Sequence, residues 1–512
     1  MRVLTAQQMR DADQRTIASG TPSIALMERA GREVVAAIAA TFPDHASRRV
    51  VIVAGRGNKG GDGFVVARGL RERNSRVLAV LIGRAPDITP DAAVNLERFV
   101  RQGGDVIEAP DEKAWTSALP RVRACDLVVD ALAGTGLKPP LNGLMARVVR
   151  DLNGAGKPVV SIDLPSGVCA DTPELSGDVI HAALTVTLGA QKVGLLQPPA
   201  TDVAGRIVVA DIGIPRDIID GLEGPRVETL TAERLRPLVG ARKPDAHKGT
   251  FGHVLVVAGS TGKTGAASLS AMGALRSGAG LVTVATPASS APVVATLGRE
   301  YMTLPLEEDG GLVAAAAAAR VLAFEADVVA AGPGLGRGTG VVAFVRALVE
   351  QCTRPLVLDA DAIQALTGVV DLLKKRRAPT VLTPHPGEMA AITGRSIADV
   401  QANRLDAARE FAQRSGAVVV LKGAGTVIAS PDGRAYINST GNPGMATAGT
   451  GDVLTGAVAA WAARVQPIED AAALAVYLHG AAGDLAAADV GEVGLIAGDL
   501  LDYLGPAARN LS

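Results

Sequence analysis

The chain has 512 residues, of which 48% are hydrophobic and only 3% aromatic, and its formal net charge is −1. At roughly 150 residues per domain the length suggests about two to four domains, and scattered Lys and Arg at near-neutral charge leave no nucleic-acid footprint. The scarcity of aromatics points to cores of Ala, Val, Leu and Gly, the material of parallel sheets covered by helices. The opening MRVLTAQQMRDAD carries charges where a secretory leader needs an apolar core. The longest apolar runs, such as 314–319 and 453–463, fall short of the roughly 20 residues of a membrane span. Cys125, Cys169 and Cys352 are far apart with no CxxC pair, so neither a disulfide framework nor a zinc site is expected. A cytoplasmic protein with no membrane or nucleic-acid partner is the expectation.

Thr5 and Gln8 read as a capping box opening a first helix, and 23–40 reads as a second, Ala-rich one. VVIVAG (50–55) is a continuous apolar strand running into GRGNKGGDG (55–63), ahead of a helix that carries Val65, Val66 and Leu70. Gly55, Gly57 and Gly60 formally satisfy GxGxxG. That dinucleotide fingerprint expects an acid about 20 residues on, at the end of the next strand, whereas VLAVLIG (77–83) ends at Arg84. The loop is therefore not read as an ordinary NAD-binding turn, and Asn58 and Asp62 supply an amide and a carboxylate that a plain turn does not need. LVVDALAGTGLKPPL (127–141) brings Asp130 to the end of a buried strand. PVVSIDLPSGV (158–168) does the same with Asp163, followed by Pro165, Ser166 and Gly167. A single Asp after a strand is usually a turn former. Three such loops, converging outside the carboxyl ends of strands in one open sheet, favour a shared polar pocket.

GNKGGDG, DALAGTG and IDLPSG resemble the motifs of NAD(P)H-hydrate epimerase. The resemblance implies a Rossmann-like domain over 1–217 that interconverts the R and S epimers of hydrated NADH and NADPH. It also implies that Asn58, Lys59, Gly60, Gly61 and Asp62, with Gly134, Thr135, Gly136, Leu137 and Lys138, hold the phosphates and ribose of the substrate. Asp163 would be the acid/base and a substrate contact, and Asp130 and Ser166 would ligate a potassium ion. The family usually has two asparagines where this chain has Asn58 and Lys59, so the Lys59 ammonium falls where a potassium ligand is expected. A binding module that senses nucleotides without catalysis is the competing reading of this half.

Residues 218–229, with DGLEGPRVE at 220–228, read as a polar linker, and a second α/β unit follows. HVLVVAGS (253–260) is a strand entering STGKTG, which is no P-loop because Val257 stands where GxxxxGK[ST] needs Gly. AGPGLG (331–336), PLVLDADAI (355–363) and TVLTPHPGEM (380–389) repeat the theme of strand then turn, and 314–319 reads as an Ala run in a helix. His385 between two prolines is either a satisfied turn residue or a ligand contact whose backbone the prolines fix. KGAGTVI (422–428) leads to GNPGMATAGTGDVLTG (441–456), where Gly449, Thr450 and Gly451 bring small residues to the entrance of a helix. Unpaired N–H groups and the positive end of the helix dipole can face an anion there. Asp452 at the helix start is either a cap or a reactive carboxylate beside that anion hole.

AGPGLG, TPHPGE, KGAGT and NPGMATAGTGDVLTG resemble the ADP-dependent NAD(P)H-hydrate dehydratase, a member of the ribokinase-like superfamily, over 230–512. The resemblance implies two three-layer αβα domains on one α/β chain and a homo-oligomeric assembly. Lys422, Gly423, Ala424, Gly425, Thr426 and Gly451 would bind the nucleotide, ADP or alternatively ATP, with Mg2+. Ala266, Gly334, His385 and Asp452 would contact the hydrate, with Asp452 as the base. A small-molecule kinase shares an Asp beside an anion hole and is the competing reading; TPHPGE and the fused first half favour repair of the hydrated cofactor.

Overall fold

The computed structural model describes residues 1–136 and 140–512. It divides into two compact units, Arg2–Gly224 and Pro225–Ser512 with Met1. In the first, seven strands form one parallel sheet: β1 (Arg49–Ala54), β2 (Arg76–Leu81), β3 (Asp105–Glu108), β4 (Leu127–Ala131), β5 (Val159–Ile162), β6 (Leu184–Leu188) and β7 (Arg206–Ala210). Their spatial order is β3-β2-β1-β4-β5-β6-β7. This is the doubly wound order, in which strand order reverses on either side of β1 and a crevice opens at the carboxyl ends of β1 and β4.

The continuous apolar strands follow from burial on both faces. Val50, Ile52 and Ala54 of β1 join one core cluster and Val51 and Val53 the opposite one, because successive side chains of a strand point to opposite faces. Helix α1 (Asn58–Glu72) leaves β1 through Arg56 and Gly57. The capping box at Thr5 forms as read, with Thr5 Oγ1 accepting from Gln8 N and Gln8 Oε1 from Thr5 N.

The sheet of the second unit contains β8 (Arg226–Thr229), β9 (His253–Val257), β10 (Leu281–Pro287), β11 (Met302–Leu306), β12 (Val328–Ala331), β13 (Leu356–Leu358), β14 (Thr380–Leu382), β15 (Val418–Leu421), β16 (Thr426–Ala429) and β17 (Arg434–Asn438). Their order is β11-β10-β9-β12-β13-β14-β15-β16-β17-β8. Pairings are parallel except on either side of β16, which runs antiparallel to β15 and β17. Part of the segment read as a linker is therefore ordered: Arg216–Asp220 is helical, and β8 pairs in parallel with β17 and buries Val227 and Thr229. Its alternating Val-Glu-Thr supplies a half-buried strand.

Helices α2 (Thr264–Arg276), α3 (Pro386–Thr393), α4 (Thr450–Ala462) and α5 (Ile468–Val490) frame the carboxyl ends of these strands and the core. Helix α4 starts three residues earlier than the apolar run 453–463 suggests. It meets α2 at two glycines: a Cβ on Gly456 would lie 1.9 Å from Ser270 O, and one on Gly273 would lie 2.5 Å from Val453 O. Only glycine allows backbones this close. The Ala run at 314–319 splits into a 3-10 turn, Ala315–Ala317, and the start of helix Ala318–Ala323. Helix α5 corrects the reading of apolar runs, since its 23 residues are long and apolar enough to cross a membrane by length and composition. Yet 67% of its most apolar window is buried inside this unit, the pattern of a core helix that is apolar all round.

Candidate active sites

At the carboxyl ends of β1, β4 and β5, the chain brings Lys59, Asp130, Asp163 and Ser166 together. Lys59 lies in the first turn of α1, and its side chain is 6% exposed against 0% for Asp130. Lys59 Nζ donates to Leu164 O at 2.6 Å, Ala133 O at 2.7 Å and Ser166 Oγ at 3.2 Å, and lies 3.4 Å from Asp130 Oδ2. Asp130 also accepts from Ser161 Oγ at 2.9 Å, Ser166 N at 2.9 Å, Ser166 Oγ at 2.5 Å and Leu132 N at 3.1 Å. Burial pushes the pKa of the Lys59 ammonium down, against the attraction of Asp130. The residues present do not fit a potassium ion. Asp130 and Ser166, the expected ligands, already hold a side-chain cation.

Asp163 sits immediately after β5 with φ +65, a left-handed conformation that Asp tolerates better than most residues. Its Oδ1 accepts from Leu188 N at 3.2 Å and Thr187 Oγ1 at 3.4 Å, and forms an ion pair with Lys192 Nζ. Lys192 is fully buried and also donates to Leu188 O at 2.7 Å and Thr187 Oγ1 at 3.0 Å. These bonds fix the carboxylate through one oxygen. They leave Oδ2 without a donor among the described residues, 3.9 Å from where a Cβ on Gly134 would sit. Gly134 therefore keeps the approach to Asp163 open. Asp62 is buried nearby, and burial followed by the charges of Asp163 and Asp13 raises its pKa well above the usual carboxylate range. Burial also pushes Asp13 up to about 6.

The remaining residues expected at this site divide. Asn58 is exposed, and its Oδ1 accepts from Thr89 Oγ1 at 2.9 Å. Gly60 and Gly61 are buried, and the space a Cβ would need is taken by the chain itself, Gly55 O at 2.0 Å and Met27 Sδ at 2.6 Å. Their close approach is to backbone and core. Thr135 and Gly136 form a turn at the surface, while Leu137 and Lys138 lie outside the described residues. Lys192 and Asp13 were not singled out from sequence.

In the second unit, α4 opens at Gly449 with φ +94, so Asp452 stands in its first turn rather than at its cap. The Asp452 carboxylate makes no hydrogen bond among the described residues. Burial first, then Asp359, lifts its pKa to about 7 against the pull of Lys422. Beneath it, Lys422 Nζ donates to Asp359 Oδ1 at 2.7 Å and Thr455 Oγ1 donates to Asp359 Oδ2 at 2.7 Å. Burial opposes the Lys422 charge, but Asp359, Glu388 and Asp452 outweigh it and its pKa is raised. A Cβ on Gly451 would lie 3.3 Å from Lys422 Nζ, so the nucleotide-binding glycine and lysine expected from sequence are neighbours. His479 of α5 donates from Nε2 to Thr450 O at 2.9 Å and holds the start of the helix in place. Buried as it is, its pKa falls to about 4 and the ring is neutral.

Gly334 has φ +66, and a Cβ there would meet Ala266 Cβ at 3.1 Å, so these two expected hydrate contacts also adjoin. Gly423 and Ala424 are exposed at the β15–β16 turn, with Gly425 and Thr426 half-buried and Thr426 Oγ1 donating to Gly423 O at 2.8 Å. Arg404 supports this turn by donating to Leu421 O at 3.1 Å and Lys422 O at 3.2 Å. His385 is the cap of α3: its Nδ1 accepts from Gly387 N at 3.0 Å and Glu388 N at 3.3 Å, and Glu388 Oε2 accepts from His385 N at 2.8 Å. Its ring is half exposed, with Nε2 3.2 Å from Glu388 Oε1. Asp359, Thr455 and Glu388 were not read as site residues from sequence. Among the described residues no three His, Cys, Asp or Glu side chains form a metal cluster. A Mg2+ ion would therefore be held mainly by nucleotide phosphates and water.

Residues 23–194 match the family model described as YjeF-related protein N-terminus, and residues 254–505 the model described as NAD(P)H-hydrate dehydratase. The bifunctional NAD(P)H-hydrate repair enzyme of Moorella thermoacetica is 45% identical over 518 aligned residues, covering 100% of this chain and 97% of that protein. The Escherichia coli enzyme of the same description is 36% identical, covering 94% of this chain and 88% of its own length. The ADP/ATP-dependent NAD(P)H-hydrate dehydratase of Bacillus subtilis, crystallised with ATP and Mg2+, superposes with a TM-score of 0.51 at 35% identity. It covers 56% of this chain and 99% of its own. With a Rossmann-like first domain and a ribokinase-like second, the chain belongs to the family of bifunctional NAD(P)H-hydrate repair enzymes.

Proposed function

We propose that the first domain, 1–217, epimerises R and S NAD(P)H hydrate at Asp163 and that the second, 230–512, dehydrates the S epimer at Asp452, consuming ADP and releasing AMP and phosphate. The observation that carries this reading is the Asp452 carboxylate, without a hydrogen bond among the described residues at the N-terminus of α4 and with its pKa brought to about 7. A base is most effective near its working pH. Asp452 takes the proton of the hydroxyl on the hydrated ring, and the oxygen bonds to the β-phosphorus of ADP as the bond to AMP breaks. Phosphate then leaves with the electrons of the ring C–O bond and the ring loses a proton, which restores the dihydronicotinamide. Backbone N–H groups at Gly449, Thr450 and Gly451 face the charge that develops on phosphate. Mg2+, carried on the nucleotide, supplies charge neutralisation when bound.

In the first domain, Asp163 Oδ2, with Oδ1 pinned by Lys192, is the oxygen available to take the hydroxyl proton and pass it to the ring nitrogen as the C–N bond opens to an aldehyde, and to reverse the transfer when the nitrogen closes on the other face. Asn58, Thr135 and Gly136 are candidate contacts for phosphate and ribose, and the family resemblance gives Lys138 the same role. A homo-oligomer acting in the cytoplasm rests on the family resemblance. The test is recovery of absorbance at the reduced-nicotinamide band from mixed R and S hydrate with Mg2+ and either ADP or ATP. Wild type recovers all of it, Asp452→Asn none, and Asp163→Asn only the S fraction at the fast rate. Failure of wild type with both nucleotides overturns the reading and brings the kinase alternative forward.

A further inference from the structure

We infer that Lys59 is a built-in monovalent cation: its ammonium fills the oxygen cradle of Asp130, Ser166, Ala133 and Leu164, so that the epimerase site needs no potassium ion. The role of that cradle in epimerisation rests on the function proposed above; its occupancy by Lys59 does not.

Two backbone carbonyls, a hydroxyl and a carboxylate converging on one point are the hard oxygen donors that replace the hydration shell of an alkali ion. Here they converge on Nζ, at 2.6 Å, 2.7 Å, 3.2 Å and 3.4 Å. An ammonium has three protons to donate, and the two short bonds to carbonyls and the hydroxyl use all three, leaving Asp130 as the countercharge. A second cation cannot enter, because it would stand within bonding distance of the same oxygens and of the ammonium itself.

The position of Lys59 argues that this charge is there for the cradle. A cation in the first turn of a helix opposes the helix dipole, and burial of an ammonium opposes its charge as well. Lys59 meets both penalties, with its side chain 6% exposed. The compensation comes from Asp130 near the end of β4 and from oxygens on the loops after β4 and β5. The same ammonium joins those two loops: it binds Ala133 O on one and Leu164 O on the other. Asp163 follows β5 directly, and a Cβ on Gly134 would lie 3.5 Å from Lys59 Cδ and 3.9 Å from Asp163 Oδ2. The side-chain cation thus does what a bound ion would do, tying the loop that carries Asp163 to the loop that faces it.

The full-length chain and its Lys59→Asn variant are compared in potassium chloride and choline chloride at matched ionic strength. Melting temperature, rubidium sites in crystals soaked with rubidium chloride, and R-to-S epimerisation are the readouts. For wild type the expected result is the same melting temperature and the same epimerisation rate in both salts, with no rubidium beside Asp130. Lys59→Asn in choline is expected to lose about tenfold to 100-fold in epimerisation, the usual cost of losing groups that orient a site. Potassium should restore it saturably, and rubidium should appear between Asp130 and Ser166. A saturable response of wild type to potassium, or rubidium bound beside Asp130 in wild type, overturns the inference. So does full activity of Lys59→Asn in choline. If the variant does not fold, the wild-type crystal and salt titration decide alone. A wild type that binds no rubidium, melts identically in both salts and does not epimerise leaves the built-in cation standing and overturns the activity reading instead.

Discussion

Each domain holds a lysine–aspartate pair at the carboxyl ends of parallel strands, beside a helix N-terminus and a second aspartate, the one proposed above to react. The two arrangements put that aspartate under opposite control. In the first domain Asp163 is held: three donors pin Oδ1, the backbone is left-handed at φ +65, and Lys192 is buried beside it. In the second, the Asp452 carboxylate has no hydrogen bond among the described residues, and burial with Asp359 nearby moves its pKa to about 7. One site fixes where its carboxylate points, and the other sets when its carboxylate ionises. The reactions proposed above account for the contrast. A group that must serve both epimers gains from fixed geometry, whereas a base that removes a hydroxyl proton gains from a pKa near neutrality.

The largest effect that tests this contrast is loss of either aspartate. Asp452→Asn should lower dehydration by about 10²- to 10⁴-fold, the range for a general base, while epimerisation followed by chiral separation of the hydrates stays at the wild-type rate. Asp163→Asn should do the reverse. Equal loss of both activities from either variant would break the division between domains. Lys192→Met comes next, because removing one partner of a buried pair leaves the other charge uncompensated at a cost of about 3–5 kcal/mol. Its epimerisation should fall while its dehydration does not, with the loss in kcat rather than KM if Lys192 orients Asp163. Asp359→Asn probes the opposite style of control. It removes a negative neighbour of Asp452 and uncovers Lys422, and both changes favour the ionised base. Wild-type dehydration should fall by about tenfold per pH unit below the Asp452 pKa, which lies at about 7; in Asp359→Asn that acidic limb should move to lower pH.

The sequence made the outline of both sites legible because their loops are contiguous and rich in glycine. The strand, turn and helix order around 50–63, 127–136 and 158–168 placed Lys59, Asp130 and Asp163 at the ends of strands that turn out to be neighbours, β1, β4 and β5. The partners that control the aspartates were not legible, because topology brings them in from afar. Lys192 reaches Asp163 across 29 residues, Lys422 reaches Asp359 across 63, and Thr455 reaches Asp359 across 96. A buried lysine on a short strand such as Gln191–Lys192 carries no local signal of its own. His385 was ambiguous between turn and ligand because its capping bonds depend on Glu388, although the spacing of the two residues is that of a capping box. Residues 220–228 misled through their Gly and Pro, which mark the boundary at Gly224 but conceal the strand that follows at once.

The smallest effect concerns Glu388, whose pKa burial lifts from the usual 4.5 to about 7, with Asp359 and Asp361 adding to it. Folding favours its protonated form, so its contribution to stability is complete at pH below 4.5 and is lost as pH rises through 7. Above that the folded domain must carry a buried carboxylate, a burden of no more than about 3 kcal/mol at 1.36 kcal/mol per unit. Glu388→Gln keeps an acceptor for His385 N and carries no charge. The variant should therefore gain stability over wild type above pH 7 and lose that advantage towards pH 5, read from urea unfolding of the full chain. Because Asp452 is shifted in the same direction, the comparison is made in the Asp452→Asn background, where its titration is absent. If the slope with pH persists there after Glu388→Gln, the charge that the second domain buries at neutral pH lies elsewhere than at these two carboxylates. The contrast drawn between held and tuned aspartates would then need a third titrating group.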